Sequence, residues 1–297
     1  MTGGQGVAVV TESVASLSPE KVEAGEITVI PIPFSYAGSA YLDGVDITAD
    51  EFYGMMSPDL PPAETSAPSP GAYMETFSEL RRAGYEVLCI TATANLARMH
   101  DAAMMGERMA REEGVGGRIE IFDSGTAAMA QGFLVVEAAR MAREGAGMDD
   151  ILGRVRRLSG SVYLLAALDT LDYLAKTARI PSIGALFGKV LQIKPIILFA
   201  QGTAKSLEHP RSRRRAKSRL LALMDDRLQG GLPLHVAVQH AAALEEAEAL
   251  MKEVEERFCP NELSIHEFSP VMASYTGPGF LGLAFYEDLE APQAHPW

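Results

Sequence analysis

Cysteine is almost absent from this chain of 297 residues, which contains only Cys89 and Cys259. Two thiols are too few for a disulfide framework, and with the six histidines they form no zinc-ligand spacing. Cys89 falls in an apolar run and Cys259 follows a predicted helix, so we expect one buried and one surface thiol. The scarcity argues against a secreted disulfide scaffold and against a metal site.

Positive charge and long apolar runs are also scarce. Lys and Arg total 26 against 39 Asp and Glu, for a net charge of −13, whereas a general nucleic-acid-binding protein needs a basic face. No apolar run approaches the roughly 18 residues of a membrane span, and the N-terminal residues lack the pattern of a secretory signal. We therefore expect a cytoplasmic protein with no nucleic-acid partner and no stable membrane insertion.

The common phosphate-binding and nucleophile motifs are missing as well. The sequence has no G-x-G-x-x-G after its first strand, no G-x-x-x-x-G-K-[ST] and no G-x-S-x-G. Dinucleotide binding, P-loop chemistry and the serine-hydrolase elbow therefore have no support. The sequence favours a binding protein and indicates no catalytic residue, metal ligand or cofactor.

Strand and helix signals alternate along the first half of the chain. Predicted strands lie at 7–10, 27–32, 86–91 and 118–122, and predicted helices at 73–82, 96–113 and 126–143. This alternation predicts a mainly parallel sheet flanked by helices in an N-terminal domain, residues 1–158. Residues 159–297 predict a second, mixed α/β domain that contains a hairpin near 193–202, helices at 170–176 and 183–191, and a closing strand that can pack back toward the first domain.

Small polar residues follow three of the predicted strands, at 11–13, 91–95 and 123–126. In an open parallel sheet the carboxyl ends of the strands form the ligand-binding edge, where helix N-termini attract anions. The same residue types are also ordinary helix N-caps. Each group taken alone therefore fits either interpretation.

Two other patterns have a structural and a functional interpretation. Methionines at 99, 104, 105, 109 and 129 either fill the core or line a pocket for a flexible apolar ligand. A basic segment within the acidic chain is either a solvated helix face or a docking patch for an acidic partner. Its members are Lys205, Arg211, Arg213, Arg214, Arg215, Lys217 and Arg219.

Several segments together resemble the DegV family, in the family's order and across nearly the whole chain. Residues 10–13 are similar to V-T-D-S, residues 64–69 to T-T-S-Q-P-S, and residues 170–180 to T-L-x-Y-L-x-x-G-G-R-I. Residues 277–286 match G-P-G-x-L-G-L-A-F-Y. The resemblance implies a two-domain α/β carrier that holds a long-chain fatty acid. It also implies that the carboxylate is presented to a separate, dihydroxyacetone-kinase-like fatty acid kinase for phospholipid synthesis.

The resemblance also implies where the ligand and the partner bind. Around the carboxylate it implies Thr65 and Ser66 of the proline-rich loop, Asn95 in place of a serine, Tyr275 in place of a histidine, and then Thr276 and Gly277. Arg179 is implied to face the kinase. Asn95 can donate through its amide, a tyrosine hydroxyl is uncharged near neutral pH, and Glu64 replaces a threonine and can repel a carboxylate.

Two further hypotheses remain open at this point. One is an enzyme acting on a small carboxylate or phosphate ester, with Asp123 or Glu12 as the base. The other is a binder of a different amphiphilic lipid. The fatty-acid hypothesis requires an apolar cavity ringed by uncharged hydrogen-bond donors, with Thr65 and Tyr275 close together.

Overall fold

The computed structural model describes residues 6–57, 60–95, 97–177 and 193–289. Its first sheet has four parallel strands, as the alternation of strand and helix signals predicts. The β-branched run of the first strand lies at the centre, where both faces are covered. In spatial order the strands are β2 (Thr28–Ile30), β1 (Val7–Glu12), β6 (Glu86–Thr91) and β7 (Ile119–Asp123).

The described residues of the first half of the chain form six α-helices: α1 (Pro19–Gly25), α2 (Ala49–Met55), α3 (Pro70–Arg82), α4 (Met99–Glu112), α5 (Ala128–Arg143) and α6 (Met148–Ser159). Helix α3 starts where Ser69 caps the backbone N–H of Ala72 and Pro70 takes the first helical position. Helices α3 and α4 pack so closely that a Cβ built on Gly106 would lie 2.6 Å from the Cβ of Tyr73. The glycine is what permits this approach.

The second sheet has six strands and is mixed, which confirms the predicted second α/β region. Only β11 and β12 pair in parallel, and the hairpin expected near 193–202 is present as β9 and β10. In spatial order the strands are β10 (Thr203–Glu208), β9 (Ile196–Ala200), β8 (Tyr163–Ala167), β13 (Phe280–Glu287), β11 (Leu234–Ala241) and β12 (Glu262–Glu267). The described helices here are α7 (Asp172–Thr177), α8 (Arg213–Asp225), α9 (Leu244–Phe258) and α10 (Pro270–Thr276).

Helix α5 packs against both sheets and is buried along most of its length. On one side it contacts β1 and β6, and on the other β8 and β13. The closing strand β13 lies inside the second sheet, and the ring of Tyr286 meets Phe133 edge-on with centroids 5.1 Å apart. A continuous apolar cluster therefore extends from one sheet to the other.

A third, small antiparallel sheet was not predicted from the sequence. It pairs β3 (Pro33–Tyr36) with β4 (Ser39–Leu42) on one side and with β5 (Glu64–Thr65) on the other. The proline-rich segment contributes only the two residues of β5, at an edge of the sheet, where its prolines interrupt no ladder. This strand fixes the position of Thr65.

Several helices differ from the prediction. The helix expected at 96–113 begins at Met99, and the sequence predicts neither α6 nor α10. Helix α10 begins at Pro270 and continues until Gly277 takes a positive φ of 72°. The helix predicted at 183–191 lies outside the described residues.

The two cysteines and two of the methionines differ in how far they are buried. Cys89 is buried and Cys259 exposed, as predicted. Met104 and Met105 are 48% and 39% exposed, so they do not fill the core. Among the described helices, none combines the length and apolarity that crossing a bilayer requires.

Candidate functional site

An apolar cavity of about 110 Å³ lies between the two sheets. Its walls come from β8, β9, helix α10 and the start of β13. Phe268 and Phe280 stack against each other in this wall, with ring centroids 4.3 Å apart. The other apolar lining residues are Val14, Ala92, Ala97, Met99, Ala127, Leu164, Ala166, Leu168, Leu174, Ile197, Phe199 and Met272. Among the described residues no charged side chain lines this cavity.

Three hydroxyl-bearing residues stand in the cavity wall among the described residues: Thr93, Tyr275 and Thr276. Thr93 follows strand β6, and the other two form the last turn of helix α10. The Thr276 hydroxyl donates to the backbone carbonyl of Met272 at 3.2 Å. The described polar residues of the wall are therefore uncharged, as the fatty-acid hypothesis requires.

Thr65 and Tyr275 lie 210 positions apart in the sequence, and in the folded chain their hydroxyls form a hydrogen bond. Strand β5 places Thr65 opposite Phe34, with its side chain half-buried. Glu64 is the preceding residue of the same strand and is exposed, because successive side chains point to opposite faces. Glu64 therefore faces away from Tyr275, which removes the expected repulsion.

The remaining predicted site residues lie around the cavity without all lining it. Asn95 is exposed and donates from Nδ2 to the carbonyl of Gly202 at 2.8 Å, so it holds the β9–β10 turn. Ser66 is exposed, and its backbone N–H donates to the carbonyl of Pro33 at 3.1 Å. A Cβ built on Gly277 would lie 2.2 Å from the ring of Tyr173, so that position admits only glycine. Arg179 lies outside the described residues.

Thr93 was not among the residues predicted for the site. It is only 2% exposed, lines the cavity, and among the described residues its hydroxyl has no hydrogen-bond partner. The available signal was its place in the run T-A-T-A-N at the carboxyl end of β6. That run contained several polar candidates, and the sequence did not distinguish which of them faces inward.

Glu12 sits in a buried hydrogen-bond network behind the cavity. Its carboxylate accepts from the hydroxyl of Tyr73 at 2.7 Å, from the amide of Gln131 at 3.1 Å and from the backbone N–H of Ala92 at 3.2 Å. Burial raises the pKa of the Glu12 carboxyl to about 7, although these hydrogen bonds oppose the rise. The network ties β1 to α3, to α5 and to the segment that carries Thr93.

The two carboxylates considered as catalytic bases both brace the backbone. Asp123 accepts from the backbone N–H groups of Gly125 at 2.9 Å and Ala94 at 3.2 Å. Glu12 borders a second cavity of about 370 Å³ and is absent from the lining of the apolar one. Within the described part of the chain, no group of three or more His, Cys, Asp or Glu side chains is arranged to hold a metal ion.

Comparison with known sequences identifies similar proteins over nearly the whole chain. A family model described as "Uncharacterised protein, DegV family" matches residues 6–288. A DegV domain-containing protein of Streptomyces coelicolor is 32% identical over 280 residues, which cover 93% of this chain and 97% of that protein. A DegV domain-containing protein of Halalkalibacterium halodurans is 28% identical over 281 residues, covering 94% of this chain and 98% of the relative.

Solved structures share the fold, and two of them are 27% identical to this chain. One is described as DegV, a fatty acid binding protein from Bacillus subtilis, and is 27% identical with a TM-score of 0.85 over 95% of this chain and 99% of that one. The other is a stearic acid-binding protein from Eubacterium ventriosum, 27% identical with a TM-score of 0.88 over 95% of this chain and 98% of that one.

Proposed function

Because this chain belongs to the DegV family, we propose that it binds a long-chain fatty acid and presents the carboxylate to a separate fatty acid kinase. The observation that carries the proposal is the apolar cavity whose wall, among the described residues, contains three hydroxyl-bearing residues and no charged one. Such a lining suits a ligand with a long apolar part and one small polar end. The fatty-acid-binding descriptions of the Bacillus subtilis and Eubacterium ventriosum structures support the same ligand class.

In this proposal the acyl chain occupies the apolar cavity and the carboxylate lies at its hydroxyl end. The hydrogen-bonded pair Thr65 and Tyr275 forms the clamp with Thr276. Gly277 lets the polypeptide backbone pass close to the ring of Tyr173. Ser66 completes the loop at the exposed side. Each buried methylene contributes about 0.8 kcal/mol, so fourteen methylenes supply roughly 11 kcal/mol before ordering costs. The tail therefore provides most of the affinity and the clamp mainly orients the head group.

The cavity must widen as the ligand enters. Its volume of about 110 Å³ is below the roughly 300–1,000 Å³ of most small-molecule pockets. Two of its lining side chains, Met99 and Met272, are flexible thioethers that can change rotamer at little cost. We propose that their movement opens the space for the tail.

The first test is whether the purified protein carries and takes up a fatty acid. Native mass spectrometry should show an added mass in the range of a long-chain fatty acid. After delipidation, titration with palmitate should restore that mass at a ratio of one to one. A protein that stays lipid-free throughout contradicts the proposal, and an extracted lipid of another class would favour the binder of a different amphiphile.

The basic segment offers a surface for the proposed kinase, but only part of it is available. Arg213, Lys217 and Arg219 form ion pairs with Glu246, Glu253 and Glu208 of this chain. The exposed members with no ion pair among the described residues are Lys205, Arg211, Arg214 and Arg215; we call these four the free basic face. Since Arg213 donates to the carbonyl of Gly279 at 3.1 Å, the start of α8 lies beside the turn that follows Thr276.

Reversing charge on the free basic face should slow kinase coupling and leave lipid binding intact. The double variant Arg211→Glu/Arg215→Glu is expected to lower the rate of acyl-phosphate formation at limiting kinase by roughly tenfold, because opposite charges speed protein encounter. The rate is measured with a dihydroxyacetone-kinase-like fatty acid kinase over a range of salt concentrations, and the salt dependence should weaken.

The control for this variant reverses two charges elsewhere. Arg108→Glu/Lys252→Glu changes the net charge equally on the exposed faces of α4 and α9, and it should couple like the wild type. Equal rates for both double variants, or a loss of palmitate affinity in the first, would remove the free basic face as a kinase-docking surface.

A further inference from the structure

The turn between β9 and β10 is held against loops of the first sheet by both polar backbone groups of Gly202. Its N–H donates to the carbonyl of Gly125 at 2.6 Å, and its carbonyl accepts from Nδ2 of Asn95 at 2.8 Å. Asn95 follows β6 and Gly125 follows β7, so both partners belong to the carboxyl edge of the first sheet. We call these two hydrogen bonds the latch.

The segments that the latch joins also form part of the cavity wall. Ala97, Ala127 and Phe199 line the cavity, are half-buried, and lie two or three positions in sequence from the residues of the latch. The two alanines come from the loops of the first sheet, whereas Phe199 comes from β9. Separation of the two segments would therefore open the wall at these three residues.

The hairpin of β9 and β10 can move as one piece. Ala200 pairs directly with Thr203, which leaves a two-residue turn in which Gln201 and Gly202 have positive φ angles of 49° and 72°. A turn of this kind fits the twist of its two strands. The side chain of Gln201 donates to the carbonyl of Gly160 at 3.1 Å, shortly before β8, and so ties the turn to its own sheet. The latch is thus the tie that joins the hairpin to the other sheet.

We propose that the latch closes the cavity and that its release admits and frees the ligand. The proposal rests on the proposed function and concerns how access to the same site is controlled. An acyl tail that is buried in the apolar space needs an opening through which to enter. Asn95 is exposed, and the carbonyl of Gly202 can bond to water once the amide leaves it, so release costs little more than the net value of the hydrogen bonds.

A latch and a direct contact with the carboxylate predict different kinetics for Asn95. A residue that contacts the ligand changes mainly the release rate, and the Kd changes with it. A residue that holds the cavity shut changes how often the cavity is open, in the free and the loaded protein alike. Uptake and release then change by the same factor and the Kd stays constant.

Asn95→Ala tests the proposal, because it removes the amide donor from an exposed position. In stopped-flow fluorescence with cis-parinaric acid, a fluorescent long-chain fatty acid, uptake and release should each become roughly fivefold faster, the effect of one net hydrogen bond. The Kd should stay within about twofold of the wild-type value. Asn95→Asp should speed both steps further, because a carboxylate repels the carbonyl oxygen of Gly202.

Asn261→Ala is the matched control. Asn261 is also exposed, and its side chain also holds a backbone group, since Oδ1 accepts from the N–H of Leu234 at 2.9 Å. It does not line the cavity. Both rates and the Kd of this variant should match those of the wild type.

Three results would overturn the proposal. If Asn95→Ala raises the Kd through the release rate alone, Asn95 contacts the ligand and does not control access. If neither rate changes, the ligand enters elsewhere; in both cases the fatty acid still binds and the proposed function stands. If the delipidated wild type takes up neither cis-parinaric acid nor palmitate, the proposed function fails, and the role of the latch fails with it.

Discussion

Replacing Ala97 with tryptophan is expected to weaken palmitate binding by roughly 200-fold. Ala97 lines the cavity and is only half-buried, so an indole can enter the cavity from the rim. If it displaces about four methylenes at about 0.8 kcal/mol each, the loss is about 3 kcal/mol, which corresponds to this change in Kd. Isothermal titration of the delipidated protein with palmitate measures the effect.

Tryptophan at Ala94 is the matched control for this variant. Ala94 is exposed three residues earlier in the same segment, and it does not line the cavity. Ala94→Trp should bind palmitate as the wild type does, with the same circular dichroism spectrum. Shorter acids should lose less affinity in Ala97→Trp, because fewer methylenes compete with the indole. Equal palmitate affinity in both variants would show that the tail lies elsewhere.

The elements predicted from the sequence are those with strong local signals. The parallel strands β1, β6 and β7 are continuous β-branched or alternating runs, and the hairpin of β9 and β10 carries its own turn at Gln201 and Gly202. The small sheet lacks such a signal. Strand β4 is largely exposed, and β5 is two residues within a proline-rich segment. Both exist because β3 pairs with them.

The predicted contact between Thr65 and Tyr275 came from the family resemblance, and the structure brings these two residues together. The orientation of the T-A-T-A-N run could not be predicted in the same way. The side chain of Asn95 points outward and donates a hydrogen bond to the β9–β10 turn, 107 positions later in the sequence. The backbone N–H of Ala92 donates to the carboxylate of Glu12, 80 positions earlier. Which side chain faces the cavity depends on these distant contacts, and local pattern contains no information about them.

Glu12→Gln is expected to stabilise the protein at slightly alkaline pH. Burial raises the pKa of the Glu12 carboxyl from 4.5 to about 7, so between these values the folded state binds a proton that the unfolded state has released. The stabilisation from Glu12 is therefore full below about pH 4.5 and is lost as the pH rises through 7. At 1.36 kcal/mol per pKa unit the loss is about 3 kcal/mol, and glutamine, which cannot ionise, avoids it.

Urea unfolding at several pH values between about 5 and 8 measures this effect. The free energy of unfolding of Glu12→Gln, relative to wild type, should rise by about 3 kcal/mol across the range.

The control is Glu23→Gln, which replaces an exposed carboxylate of α1. Its free energy of unfolding should follow that of the wild type at every pH. Burial lowers the pKa of His266 to about 4, but that residue is present in both proteins and cancels in the difference. A constant difference would mean that Glu12 ionises as it does in water. The amide oxygen of glutamine can still accept from the backbone N–H of Ala92, and its NH2 can donate to the Tyr73 hydroxyl. Palmitate affinity should therefore persist in the stabilised variant, which separates the effect of this network on folding from binding.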